Sequence, residues 1–264
     1  ESTLVALVHQ YMEFDQVALR RMIDAGEMPD PNAYEGREFE AAAKLDNYYQ
    51  WITDCFRPYL RGDGTEIGAG VGNYSQYLLP FFDTLDLLEP SSAQAPALQE
   101  RFSTYERVSI FSERIDSYAT SCTPKSRDTI CMINVLEHIE DDVAALKVLS
   151  GLLKKDGHLC IFVPALSFLY CKLDKIFGHH RRYSKSELQN VVEQSGFKIL
   201  ELRYMDMAGI FAWGLINTIG GSTSLNPRAI KIYDRFIIPV TRAAEKIVPA
   251  PLGKSLILIA QKVV

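Results

Sequence analysis

The sequence predicts an α/β protein, a doubly wound and largely parallel β-sheet with helices on both faces, and three features carry that prediction. Short apolar segments alternate with amphipathic helical ones from residue 83 to residue 205. Parallel strands need such crossovers, because a tight hairpin cannot join them. A turn rich in glycine, "TEIGAGVG" (65–72), opens the alternation, and "SLILIAQKVV" (255–264) closes the chain as a strand with no helix after it. Sheets of this kind bind ligands beyond the carboxyl ends of their strands.

The elements follow in chain order. "FDQVALRRMIDAG" sets Phe14, Val17, Ala18, Met22 and Ala25 near one helical face, with Gly26 as its stop. "EFEAAAKLDNYYQWITDCFRPYL" reads as a second helix that runs into the glycine turn. "DTLDLLEP", "ERVSIFSE" and "DTICMINV" are short apolar strands. The helix "DDVAALKVLSGLLKKDG" has Asp141 or Asp142 as its cap, lysines in its last turn and Gly157 as its stop. "HLCIFVPA" is a buried strand, and a loop region over 167–183 leads to "SKSELQNVVEQSGF", where Ser184 and Glu187 form a capping box and Gly196 marks the end. "KILELRYM" is the next strand. Residues 205–254 interrupt the pattern with apolar and aromatic residues. The expected organisation is an N-terminal helical cap over 1–61 and a core over 62–264 that carries a lid-like helical insertion at 205–254.

Composition narrows the function. A chain of 264 residues buries a full core and is long enough for a complete enzyme, and its net charge of -5 argues against a general nucleic-acid binder. Five cysteines are scattered without metal-ligand spacing, and several of them lie within apolar runs and read as core thiols; this suits a reducing compartment, with the cytoplasm as the default. The longest apolar run, "AGIFAWGLINTIGG" (208–221), is shorter than the roughly 20 residues that span a bilayer. It reads as a buried or lid segment, and no membrane span is expected.

In the glycine turn, Gly68, Gly70 and Gly72 let the backbone turn tightly and approach a ligand. Glu89 ends the next strand, where an acid can bond ribose hydroxyls. A nicotinamide fingerprint wants a third small residue where this chain has Asn73. The pattern E-x-G-x-G-x-G, Glu89 and "INVLEHIEDD" (133–142) together resemble the class I S-adenosylmethionine-dependent methyltransferases. That resemblance covers residues 62–204. It implies a Rossmann-like sheet of seven strands, mostly parallel with a reversed last strand, and S-adenosylmethionine as cofactor with S-adenosylhomocysteine as product. It further implies that Glu66, Gly68, Ala69, Gly70 and Gly72 flank the methionine moiety, and that Glu89, followed by Pro90, takes the ribose. Glu113, Ile115 and Asp116 would lie by the adenine, with the choice among them open, and Asn134 with Val135 near the sulfonium.

Methyl transfer asks chiefly for alignment and the exclusion of water, and a base is needed only where the acceptor loses a proton. His138, just past the fourth strand of the family's pattern, is the first candidate base. In "GHHRRYSKSEL", His179 and His180 are the second, and adjacent side chains of an extended backbone point opposite ways, so at most one faces a site. Arg181 and Arg182 have a plainer reading, docked on acids such as Asp174. Glu137, His138, His179 and His180 would converge in a metal reading, as in some RNA-end methyltransferases, but Asn134 stands where those carry a first Glu. No metal is expected.

The expected function is methyl transfer to an oxygen or nitrogen, less so a carbon, of a small hydrophobic or aromatic metabolite. Tyr34, Tyr48, Tyr49, Phe211 and Trp213 are candidates for an apolar lid or, more simply, for core packing. The alternatives are a nicotinamide-dependent oxidoreductase, which lacks a Tyr-x-x-x-Lys pair here, a metal-dependent RNA methyltransferase, and a non-catalytic cofactor-binding partner protein.

Overall fold

The computed structural model describes residues 45–222 and 226–263, so the expected helix over "FDQVALRRMIDAG" and Tyr34 lie outside the described residues. Helix α1 (Asp46–Phe56) precedes strand β1 (Asp63–Ile67), and the short helix α2 (Ser75–Leu78) follows the glycine turn. Then come β2 (Thr84–Leu88), α3 (Ala95–Phe102), β3 (Val108–Phe111), α4 (Ile115–Ser121), β4 (Arg127–Ile133), α5 (Asp142–Leu152) and β5 (Leu153–Pro164). Helices α6 (Lys172–Ile176) and α7 (Lys185–Gln194) lead to β6 (Phe197–Met205). Between β6 and the last strand, β7 (Ser255–Lys262), lie α8 (Met207–Trp213), α9 (Pro227–Ile232) and α10 (Ile238–Ile247), with π-helical turns at Gly214–Ile219 and Tyr233–Ile237.

The seven strands form one sheet in the order β3-β2-β1-β4-β5-β7-β6. The pairings from β3 through to β5 are parallel, whereas β7 runs antiparallel to both β5 and β6. This is the Rossmann-like sheet with a reversed last strand that the sequence resemblance implies. Both faces are covered, so strand residues of either parity are buried. Leu159, Ile161 and Val163 of β5 join one core with Leu146 and Leu149 of α5, while Cys160 and Phe162 join the other with Ile52 and Phe56 of α1.

Three sequence expectations change. The second helix does not run into the glycine turn: it gives way at Pro58 to a short 3₁₀ turn, and the polar run "DGTEI" is the central strand β1. Proline has no N–H to continue the helical ladder. Polar as it is, β1 belongs at the centre because its groups are matched there: Thr65 shares a hydrogen bond with the Tyr118 hydroxyl, which donates to Asp86 of β2 at 2.6 Å. The helix over 141–157 ends at Leu152, since Leu153 onward pairs with β4 and Lys154 Nζ donates to Asp128 at 2.6 Å and Asp63 at 3.1 Å. Sheet pairing and ion pairs override the helical propensity of the lysines. Finally, the apolar run 208–221 is not buried: Gly209 and Asn217 face the body while Phe211, Leu215, Ile216 and Ile219 stand in solvent. Among the described residues, no helix is long and apolar enough to cross a membrane.

The local signals hold: Asp141 accepts from the Ala144 N–H at 2.9 Å, and Ser184 and Glu187 form the capping box. All five cysteines are free, with Cys122, Cys131 and Cys160 buried.

Two glycines test the packing. A Cβ on Gly64 of β1 would lie 2.5 Å from the Phe82 ring, whereas one on Gly151 of α5 would meet nothing within 4 Å. Gly64→Ala should lower stability by about 1–3 kcal/mol, and Gly151→Ala should leave it unchanged or raise it by up to about 1 kcal/mol, both read from urea unfolding midpoints.

Candidate active site

The glycine turn leaves the carboxyl end of β1 with Gly68, Gly70 and Gly72 at φ +70°, +58° and +78°. These left-handed values are open to glycine and strained for most other residues. Space demands glycine as well, since a Cβ on Gly68 would lie 2.5 Å from Val135 and one on Gly72 2.3 Å from Phe102. Glu89, past the end of β2, ties this turn to its neighbour: its carboxylate accepts from the Gly70 N–H at 2.7 Å and the Ser91 N–H at 2.8 Å. A carboxylate oxygen accepts more than one hydrogen bond, so Glu89 keeps lone pairs for a ligand.

A cavity of about 230 Å³ opens beside the turn. Glu66, Gly68, Ala69 and Asn134 line it, together with the rings of Tyr48, Phe162, Phe177 and Trp213. Glu66 is 2% exposed, its Oε2 has no hydrogen-bond partner, and burial pushes its pKa up to about 8. A buried carboxyl with an unpaired oxygen fits a cationic ligand group, because pairing is what allows a charge to stay buried. Asn134 directly follows β4 with φ +53°, a left-handed conformation that asparagine tolerates better than most residues, while its N–H is held by the Phe162 carbonyl at 2.8 Å. The orphaned Glu66 oxygen and the glycine cradle fit the amino-acid end of S-adenosylmethionine. That cofactor supplies an activated methyl group on a sulfonium.

His138 and His179 also line this cavity, their rings edge to face with centroids 4.7 Å apart. His138 sits in the turn that follows β4. Burial, helped by the neighbouring His179, lowers its pKa to about 3, so it stands as a neutral imidazole that offers a lone pair. His179 is oriented by Asp174, Nδ1 to Oδ1 at 2.9 Å, and burial lowers its pKa too, although the Asp174 bond opposes the shift. Asp174, fully buried, also accepts from Arg182 Nε at 2.8 Å and from the Cys171 N–H at 2.9 Å. Burial works to raise its pKa, but these donors outweigh it and hold the carboxyl below its usual range. Arg182 in turn lies 4.6 Å from the centroid of the Trp213 ring, which carries this clamp to the cavity wall.

The cavity thus gathers Glu66, Gly68, Ala69, Asn134, His138 and His179 from the sequence-based candidates. Gly70, Gly72, Glu89, Pro90 and Val135 lie outside its lining but in the turns that follow β1, β2 and β4. Glu113 and Ile115 are half-buried after β3, and Asp116 is exposed on the first turn of α4. His180 is exposed, and its N–H donates to the Glu137 carbonyl at 2.8 Å. Arg181 and Arg182 dock on Asp142 and Asp174. Sequence reasoning missed Lys254 and Ser255. Because β7 is reversed, its start lies at the edge where the parallel strands end, and Ser255 pairs with both Pro164 and Met205 there. The reversed strand was the signal that would have found them.

Residues 65–159 match the family model described as a methyltransferase domain. Residues 65–159 therefore form a methyltransferase domain of an enzyme that uses S-adenosylmethionine as its cofactor, and the fold is consistent with class I. That sets aside the oxidoreductase and the non-catalytic alternatives. A search of curated proteins found no match to the sequence. Among solved structures the chain is similar to the protein bound by the Haloferax volcanii Trm112 methyltransferase activator, at 13% identity and a TM-score of 0.60 over 88% of this chain and 97% of that one. It is similar to Haemonchus contortus phosphoethanolamine N-methyltransferase 2, at 17% identity and 0.57 over 82% of this chain and 52% of that one. Mitomycin 7-O-methyltransferase is a third likeness, at 15% identity and 0.56, covering 93% and 60%.

The raised pKa of Glu66 gives a signed prediction. The free protein holds Glu66 protonated below about pH 8, and an ammonium-bearing ligand needs it ionised, so binding expels a proton. S-adenosylhomocysteine should release about one proton on binding at pH 7, measured as a calorimetric heat that varies with buffer ionisation enthalpy, and affinity should climb as pH rises toward 8. Glu66→Gln should abolish the release.

Proposed function

We propose that the enzyme methylates an oxygen or nitrogen of a small, largely apolar or aromatic metabolite. The observation that carries this reading is the cavity itself: a recess of about 230 Å³ at the carboxyl edge of the sheet, whose lining mixes the rings of Tyr48, Phe162, Phe177 and Trp213 with polar groups such as Glu66, Asn134 and His138. Such a recess shields the reacting atoms from water and suits a small molecule better than a macromolecular surface. The net charge of -5 supports the same reading. The solved structures of like fold include an N- and an O-methyltransferase, so the fold leaves the accepting atom to the chemistry of the cavity.

In this reading Glu66 holds the amino group of the cofactor, the backbone of Gly68 to Gly72 cradles the adjoining atoms, and Glu89 bonds the ribose. Val135 and Pro90 pack beside them, and Glu113, Ile115 and Asp116 border the adenine. His138 and His179 face the acceptor and orient its polar group, with Asp174 fixing the tilt of His179. His180 takes no part. The apolar helices between β6 and β7 close the acceptor side, with Trp213 as their contact to the cavity.

Two measurements test this reading. Glu89→Ala should weaken S-adenosylhomocysteine binding by about 1.5–3 kcal/mol through the loss of charge-assisted bonds, read by calorimetry. Mass spectrometry of phenols, catechols and aromatic amines incubated with enzyme and S-adenosylmethionine should show a methylated product. Methylation of RNA or protein, with none of any small molecule, would overturn the proposal.

A further inference from the structure

Glu137 is the group that the cofactor reading leaves unexplained. It is fully buried, and neither oxygen of its carboxylate has a hydrogen-bond partner in another residue. Its one cationic neighbour, Arg182, is already engaged by Asp174 at 2.8 Å. A carboxylate buried this way is retained only with a proton or a cation on it.

The two imidazoles of the cavity stand beside it. His179 Nε2 lies 3.9 Å from Glu137 Oε1, and one ligand atom each from Glu137, His138 and His179 fall within 4.8 Å of one another. Among the described residues this is the one group of His, Cys, Asp and Glu side chains that converges so. His179 has the outer support that metal-bound histidines use, its Nδ1 bonding Asp174, and His138 Nδ1 lies on the side of Gly178. His179 Nε2 is thereby left for an ion, on the side of Glu137. The segments are also strapped together, since the His180 N–H donates to the Glu137 carbonyl at 2.8 Å.

We infer that Glu137, His138 and His179 bind a divalent transition-metal ion whose remaining position opens into the acceptor cavity. This revises the expectation of no metal. Two imidazoles and one carboxylate suit zinc, iron, cobalt or manganese rather than the oxygen-seeking magnesium or calcium. Bonds of about 2.1 Å set tetrahedral ligands about 3.4 Å apart, so modest side-chain rotations complete the site. His138 and His179 line the cavity whereas Glu137 lies behind them, which leaves the open position toward the acceptor. Binding of the ion stands on this geometry alone. Its use, to anchor an oxygen of the acceptor, rests on the methyl-transfer reading and narrows the substrate class to metabolites with a hydroxyl or carboxylate beside the methylated position.

The test uses the whole chain, treated with chelator, dialysed, and titrated with Zn²⁺ and with Co²⁺ by calorimetry and visible absorption. One ion per chain is expected. Glu137→Gln and His179→Asn should each weaken binding by at least about tenfold, Asp174→Asn by about 10–100-fold through the supporting bond, and His180→Asn should leave it unchanged. S-adenosylhomocysteine affinity, measured on the same samples, reports that each variant is folded. No uptake of either ion, or uptake by Glu137→Gln as tight as by the parent, overturns the inference. S-adenosylhomocysteine binding without metal uptake would sink the metal site and leave the methyltransferase reading intact. Metal uptake without methylation of any small molecule would support the site while removing the role given to it.

Discussion

The site depends on strand register. In the parallel run, Ile67 pairs with Met132 and Ile133 with Phe162, and across the antiparallel junction Pro164 pairs with Ser255. These pairings end β1, β4 and β5 at one edge and start β7 there. A slip of one residue would exchange the faces of every strand, sending Phe162 into the opposite core and its cavity-lining ring with it. Because both faces are buried, such a slip would also repack two cores at once, and the register is correspondingly well determined.

Upon that frame the buried acids divide into two kinds. Asp174 receives a histidine, an arginine and a backbone N–H, and its pKa falls. It is structural, since removing it would leave Arg182 charged and unpaired in a buried place, at a cost of about 3–5 kcal/mol. Glu66 and Glu137 receive far less, and burial pushes both up to about 8. They are the groups for which an incoming cation changes the balance. The fold thus satisfies the acid that orients its histidines and leaves open those that face the cavity or lie behind its wall.

What could be read from the sequence was local. The alternate glycines, the acid that ends β2, and the caps at Asp141 and Ser184 each depend on residues a few positions apart, and each stands where expected. What could not be read was tertiary. "DGTEI" carries no apolar pattern, and only the Tyr118 hydroxyl, Asp86 and the Phe82 ring over Gly64 make it a central strand. Lys154 has a good helical propensity, yet two aspartates at the starts of β1 and β4 hold it in β5. His179 was separable from His180 only as one of two, because alternation says that the pair diverges without saying which member faces inward.

The reversed last strand shows how a global feature becomes local chemistry. Antiparallel entry delivers Lys254 to the carboxyl edge, where Nζ lies 3.5 Å from Asp206 and 5.0 Å from the centre of the Tyr48 ring. Burial lowers the Lys254 pKa, against the pull of Asp206. Asp206 is itself held in a left-handed conformation at φ +65°, where its carboxylate also receives the Gly209 N–H and the Tyr233 hydroxyl. One carboxylate therefore joins the end of β6, the start of α8, the helical segment after α9 and the residue before β7. The helices between β6 and β7 are anchored at their roots through this group, although much of their length presents apolar residues to solvent. The same contacts hold Lys254 and Tyr48, both of which line the cavity, to the end of β6.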